Sequence, residues 1–241
     1  MSLPLIAGSA LAAAGLGVGG YFYAGMWPTS QLFGRAVLAG RDPAEYALTY
    51  DDGPNDRCTE ALLEILARYQ TRATFFMIGR FVRERGALVR RVREAGHLVA
   101  NHTFTHPVLL FEKPAKVREE LARTNAALED ALGERVTHFR PPHGARRPDV
   151  LRAARELGLT PVLWNAMGYD WKPTTGETIL ANLDRSIVRN RRRGRGSNLL
   201  LHDGGQASIG QDRMATVRAT EMLLERERGR VRFVTVDAWQ A

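Results

Sequence analysis

From Glu45 onward the chain alternates short apolar runs with longer stretches in which apolar residues return every third or fourth position. The short runs, "YALTYDD", "RATFFMIG", "HLVANHT", "VTHFRPP", "TPVLWNA", "SNLLLHD" and "VRFVTVD", are bounded by polar segments and predict strands. Between them, "CTEALLEILARYQ", "ALVRRVREAG", "KVREELARTNAALEDALG", "PDVLRAARELG", "ETILANLDRSIVRNRR" and "RMATVRATEMLLERERG" carry the helical period. Several close on Gly, and Thr59 and Pro148 sit where helices start. This rhythm predicts an α/β fold, a parallel sheet with helices outside. Seven such strands fit a distorted, seven-stranded (β/α) barrel, somewhat smaller than the usual eightfold one. Chemistry in that architecture gathers at the carboxyl ends of strands. The conspicuous polar residues fall there: Asp51 and Asp52, His102 and His106, Arg140 and His143, Asp170, then His202 and Asp203.

Ahead of this region the pattern changes. The first 34 residues carry no charged side chain, and Leu3 to Trp27 is almost wholly apolar. A helix of that length, at ~1.5 Å per residue, exceeds the ~30 Å hydrocarbon core of a bilayer. Tyr21, Tyr23 and Trp27 suit a membrane interface. Against this stand six glycines and the lack of a basic residue before the run. Arg35 and Arg41 also lie on the wrong side for an outward-facing domain. The expectation is an N-terminal apolar helix over residues 1–28 acting as an uncleaved anchor, ahead of a cleaved signal and of a buried arm. Residues 29–44 read as a linker and 45–241 as one domain, on the extracytoplasmic face of a cell envelope or secreted.

An apolar share of 44% with 25% charged residues excludes a disordered chain. Cys58 is the only cysteine, so neither an internal disulfide nor a cysteine-built zinc site is available. The formal net charge of +8 admits an anionic partner, but only Lys113, Lys116 and Lys172 are lysines and the arginines are spread along the chain. "RNRRRGRG", Arg189 to Gly196, lacks interleaved aromatics and follows a helical pattern, so it reads as a solvated helix end. No nucleic acid and no obligate protein partner are expected.

Asp51 and Asp52 repel one another unless a cation or a division of labour separates them. The spacing of His102 and His106 returns both to one side of the chain. Two imidazoles and a carboxylate suit Zn²⁺ or another divalent transition ion with positions left open. One aspartate then binds the metal and its neighbour is free as a base. Each residue also has a plainer reading. The aspartates can cap the turn before "GPND", Arg140 can lie at the surface, and Trp164 and Leu200 can be core. His97 and His138 fit strand packing, and Asp203 fits a turn contact.

In order along the chain, "TYDDGP", "HTFTH", "RPPHG", "YDW" and "LLLHD" resemble the motifs of the polysaccharide deacetylase family, carbohydrate esterase family 4, over Glu45 to Ala241. The resemblance implies a distorted (β/α) barrel and metal-dependent removal of N-acetyl groups from amino sugars of a polysaccharide or a lipid-linked glycan. It implies Asp51 as catalytic base and Asp52, His102 and His106 as metal ligands, with Zn expected and Co, Ni or Mn as alternatives. Arg140 would orient the base, and Asp170 would set the acidity of His202, the catalytic acid. Trp171 and Leu200 would receive the acetyl methyl. His143 stands where the family often has Tyr, a position whose backbone N–H holds the oxyanion. The same machinery admits an O-acetyl esterase or a deformylase, and a metal-bound glycan-binding protein is the alternative without turnover.

Overall fold

The computed structural model describes residue 17 and residues 19–239. Among the described residues the strands form one sheet, and all of its pairings are parallel. β1 (Glu45–Gly53) is central, flanked by β2 (Thr74–Met77) and β7 (Ser197–His202). With β3 (Leu98–Asn101), β4 (His138–Phe139), β5 (Thr160–Pro161) and β6 (Ala166–Met167), the order is β5-β4-β3-β2-β1-β7-β6. A short β8 (Arg232–Phe233) pairs with Glu45 and Tyr46 of β1. Strand alternation sorts the core. Tyr46, Leu48 and Tyr50 face the main apolar layer under the helices, whereas Ala47 joins Phe76, Ala100 and Val162 in a smaller inner cluster.

The α/β architecture is as expected, with two differences in detail. "TPVLWNA", expected as one strand, supplies both β5 and β6, which form opposite edges of the seven-strand path. Residues Val162 to Asn165 cross the gap between those edges. Side chains hold this crossing where a ladder would otherwise run: Asn198 Nδ2 donates to Leu163 O at 2.7 Å, and Asn165 Oδ1 accepts from Asn198 N at 2.8 Å. The second difference is a helix, α2 (Gly79–Glu84), whose 6 residues are too few to show a period. The other helices, α1 (Cys58–Arg68), α3 (Gly86–Glu94), α4 (Pro114–Leu132), α5 (Pro148–Glu156), α6 (Gly176–Arg192) and α7 (Met214–Glu227), follow the pattern.

The expected N-terminal apolar helix falls largely on residues 1–16, outside the described residues. Residues 19–26 are helical, and among the described residues no helix is long and apolar enough to cross a membrane. The stretch expected as a linker is packed against the sheet. Val37 bridges to Val162, donating to Pro161 O at 2.9 Å and accepting from Leu163 N at 2.8 Å.

Candidate active site

Regular alternation would send Asp51 and Asp52 to opposite faces of β1. A bulge prevents this. Asp51 pairs with Phe76 and Gly53 with Met77, leaving Asp52 as an extra residue at a φ of 72°. Asp tolerates that left-handed conformation better than most side chains, and the bulge turns its carboxylate back towards the barrel mouth. Gly53 is required beside it, because a Cβ there would run into the Asp203 carboxylate. Both acids therefore approach one imidazole: His102 Nε2 lies 3.6 Å from Asp51 Oδ2 and 3.5 Å from Asp52 Oδ1.

His102 follows β3, and its Nδ1 is 2.8 Å from the carbonyl oxygen of Arg140. A carbonyl only accepts, so Nδ1 carries a proton and Nε2 is the nitrogen turned towards Asp52. His106 arrives through a strained loop in which both Thr103 and His106 have a φ of 65°. Glu120, fully buried on α4, holds that loop by accepting from Phe104 N at 2.8 Å, Thr105 N at 2.7 Å and Thr105 Oγ1 at 2.9 Å. His106 Nε2 ends 3.0 Å from Asp52 Oδ1.

Asp52 Oδ1 is buried and makes no hydrogen bond among the described residues, although two imidazole nitrogens point at it. Burial favours the neutral acid, but His102 and His106 outweigh it and hold the carboxyl well below its usual range. Asp52, His102 and His106 each bring one ligand atom within 4.8 Å of the others. Metal–ligand bonds of about 2.0–2.2 Å put neighbouring ligand atoms roughly 3–3.5 Å apart, so this set fits a metal ion.

Asp51 has different company. Arg140 Nη1 donates to Asp51 Oδ1 at 2.7 Å and to Thr49 Oγ1 at 2.8 Å, while Nη2 reaches Asn198 Oδ1 at 3.2 Å. The guanidinium is fully buried over the Phe76 ring, and burial lowers its pKa, opposed by Asp51. One oxygen of Asp51 is thus pinned and the other faces the mouth.

Across the mouth, His202 ends β7 and Asp170 lies in the loop after β6. Asp170 Oδ1 is 2.8 Å from His202 Nδ1, and Oδ2 accepts from His202 N and Thr216 Oγ1, both at 2.7 Å. Burial opposes charge on the imidazole. Asp170, with the more distant Asp52 and Asp51, overrides it and pushes the His202 pKa up to about 9. Burial likewise opposes charge on Asp170, yet His202 and Thr216 bring its pKa down.

The remaining expected residues converge on the same place. The His143 ring stands 4.8 Å from that of His106, and the Trp171 ring 5.6 Å from that of His202. Leu200 sits in a small buried cluster with Leu163 and Trp164 inside the barrel. Sequence reasoning missed Glu120, Thr216 and Arg213. The last is buried and donates to Asp170 O at 3.1 Å and Gly204 O at 2.8 Å. Trp164 is closer to the chemistry than a core reading implied, since Arg140 lies 5.6 Å from its ring. Asp203 accepts from Thr59 Oγ1 under the bulge, and burial, reinforced by Asp52 and Asp51, pushes its carboxyl to about 7.

Comparison with known proteins decides the family. The model of the polysaccharide deacetylase family matches residues 40–162. The chain belongs to the polysaccharide deacetylase family. A chitooligosaccharide deacetylase of Rhizobium leguminosarum bv. trifolii is 40% identical over 167 residues, 69% of this chain and 74% of that protein. The peptidoglycan-N-acetylglucosamine deacetylase PgdA of Listeria monocytogenes is 38% identical over 126 residues, 52% of this chain and 26% of that protein. Among solved structures, the Bc1960 peptidoglycan N-acetylglucosamine deacetylase superposes with a TM-score of 0.75 at 28% identity, covering 84% of this chain and 91% of that one. As a polysaccharide deacetylase, the chain is a hydrolase of carbon–nitrogen bonds other than peptide bonds.

Proposed function

We propose that this polysaccharide deacetylase removes N-acetyl groups from amino sugars of a chitin-like or peptidoglycan-like glycan, or of a lipid-linked glycan, with a divalent cation held by Asp52, His102 and His106. Zn is the ion best matched to two imidazoles and a carboxylate, with Co, Ni or Mn as substitutes. The observation that carries this reading is the buried Asp52 Oδ1, which lacks a hydrogen bond between two imidazoles while Arg140 engages its neighbour. When bound, the cation polarises the acetyl carbonyl and lowers the pKa of a water molecule.

The free oxygen of Asp51 accepts the proton of that water, and Arg140 keeps the carboxylate aimed while it does so. The backbone N–H of His143 supports the oxyanion that develops on the acetyl oxygen. His202 Nε2 gives its proton to the departing sugar nitrogen, because Asp170 keeps the ring cationic at neutral pH. Trp171 and Leu200 enclose the acetyl methyl. The apolar N-terminal run anchors the enzyme on the extracytoplasmic face of a bacterial envelope. Acetate release from chitooligosaccharides and peptidoglycan fragments, with metal content quantified, tests the reading. Metal-dependent acetate from either substrate supports it, and its absence from both and from an N-acetylglucosaminyl lipid across Zn, Co, Ni and Mn overturns it.

A further inference from the structure

Scattered exposed apolar side chains are ordinary on a protein surface, but a group gathered around one opening is not. Here the mouth carries such a group on both wings of the sheet. On one wing, the helical stretch 19–26 is fastened to the loop after β4: Arg146 N donates to Gly25 O at 2.9 Å, and Arg146 Nη2 to Trp27 O at 3.0 Å. This places Phe22 against Phe111 of the loop after β3, with ring centroids 6.3 Å apart. Tyr23 and Trp27, from the same stretch, stack on one another with ring centroids 6.0 Å apart. On the other wing, Tyr169 and Trp171 rise from the loop after β6, their rings 5.4 Å apart. These residues are open to solvent: Phe111 is 68% exposed, Trp27 55% and Trp171 41%. Every one of these loops leaves the same strand ends as the catalytic groups.

The occupant of this rim is identified by what adjoins it. The chain runs from the patch directly into residues 1–16, which carry no charged side chain. Tyr and Trp are the residues that settle at headgroup depth, and a formal net charge of +8 favours an anionic leaflet. We propose that the rim of the mouth rests on a lipid bilayer, and that the preferred substrate is an N-acetylated amino sugar carried on a lipid and met at headgroup depth. The substrate half of this inference rests on the deacetylase reading above; the docking half does not.

The full chain reconstituted in phosphatidylglycerol–phosphatidylcholine vesicles with brominated acyl chains tests the docking. Trp164 and Trp239 are buried at 6% exposure each, so quenching reports Trp27 and Trp171. Quenching that falls in Trp27→Phe and again in Trp171→Phe supports the docking. A vesicle-bound chain with neither tryptophan quenched overturns it, as does a dimer that shields both. For the substrate, Phe111→Ser is assayed on an N-acetylglucosaminyl lipid in vesicles and on a soluble chitooligosaccharide. Immersing an aromatic ring makes a loss of ~tenfold on the vesicle-borne lipid the expected result, with the soluble rate unchanged. Equal effects on the two substrates overturn the substrate half. Turnover of neither by the unaltered chain sinks the deacetylase reading and with it the substrate half, and leaves the quenching result to decide the docking.

Discussion

Asp51 and Asp52 are adjacent in sequence yet meet different kinds of partner, a guanidinium for one and two imidazole nitrogens for the other. His202 shows the same control of a side chain by its neighbours. With its pKa near 9 against an ordinary 6.5, it is cationic at neutral pH and fit to donate a proton. A folded-state pKa above the unfolded value means that the stability from the His202–Asp170 pair is fully present below about 6.5. It is lost as pH rises through about 9. Deacetylation should follow, with an alkaline limb near that upper value. Asp170→Asn removes the main source of the rise, so a pH–rate profile of that variant should show the limb displaced towards neutrality. An unmoved limb would assign it to another group.

At the scale of elements, strand ends present the chemistry and helices hold it in place. The first part was legible in the sequence, because apolar runs that stop at Asp, His or Arg mark where each strand delivers a polar group. The second was not. Glu120 lies within a helix whose residues look ordinary, and only the fold shows that its carboxylate fixes the backbone between His102 and His106. Thr216 and Arg213 escaped for the same reason, as neither sits near a motif. The bulge at Asp52 was equally hidden, since alternation alone puts the two aspartates on opposite faces. Glu120→Ala should lower metal affinity by roughly 10–100-fold, the usual effect of removing an outer support, with activity restored by excess metal. Competition with a chelator measures this, and affinity equal to that of the unaltered chain would detach Glu120 from the site.

For the whole molecule, the strand–helix rhythm was enough to give a parallel α/β barrel, because each amphipathic helix must cover a sheet face. It did not show how the barrel meets its own open edges. That depends on the crossing at Val162 to Asn165 and on the pairing of Val37, contacts between distant segments that leave no period. Arg146 ties the N-terminal stretch to this body, and its burial brings the guanidinium down to about 10. It donates to Gly25 O, Trp27 O and Ser30 O. Arg146→Ala leaves Ser30 O unmet and strips Gly25 O and Trp27 O of one of their two donors, which should cost about 1–3 kcal/mol, seen as a lower Tm and faster amide exchange over residues 19–30. Exchange confined to other segments would contradict that role.

The division of labour between the two aspartates is tested most directly by measuring bound metal and acetate release together in Asp51→Asn and Asp52→Asn. The expected result is that Asp51→Asn keeps its metal and loses roughly 10²–10⁴-fold in rate, the scale of general-base catalysis, whereas Asp52→Asn loses the metal. Metal lost equally from both variants, or retained by Asp52→Asn, would contradict the assignment.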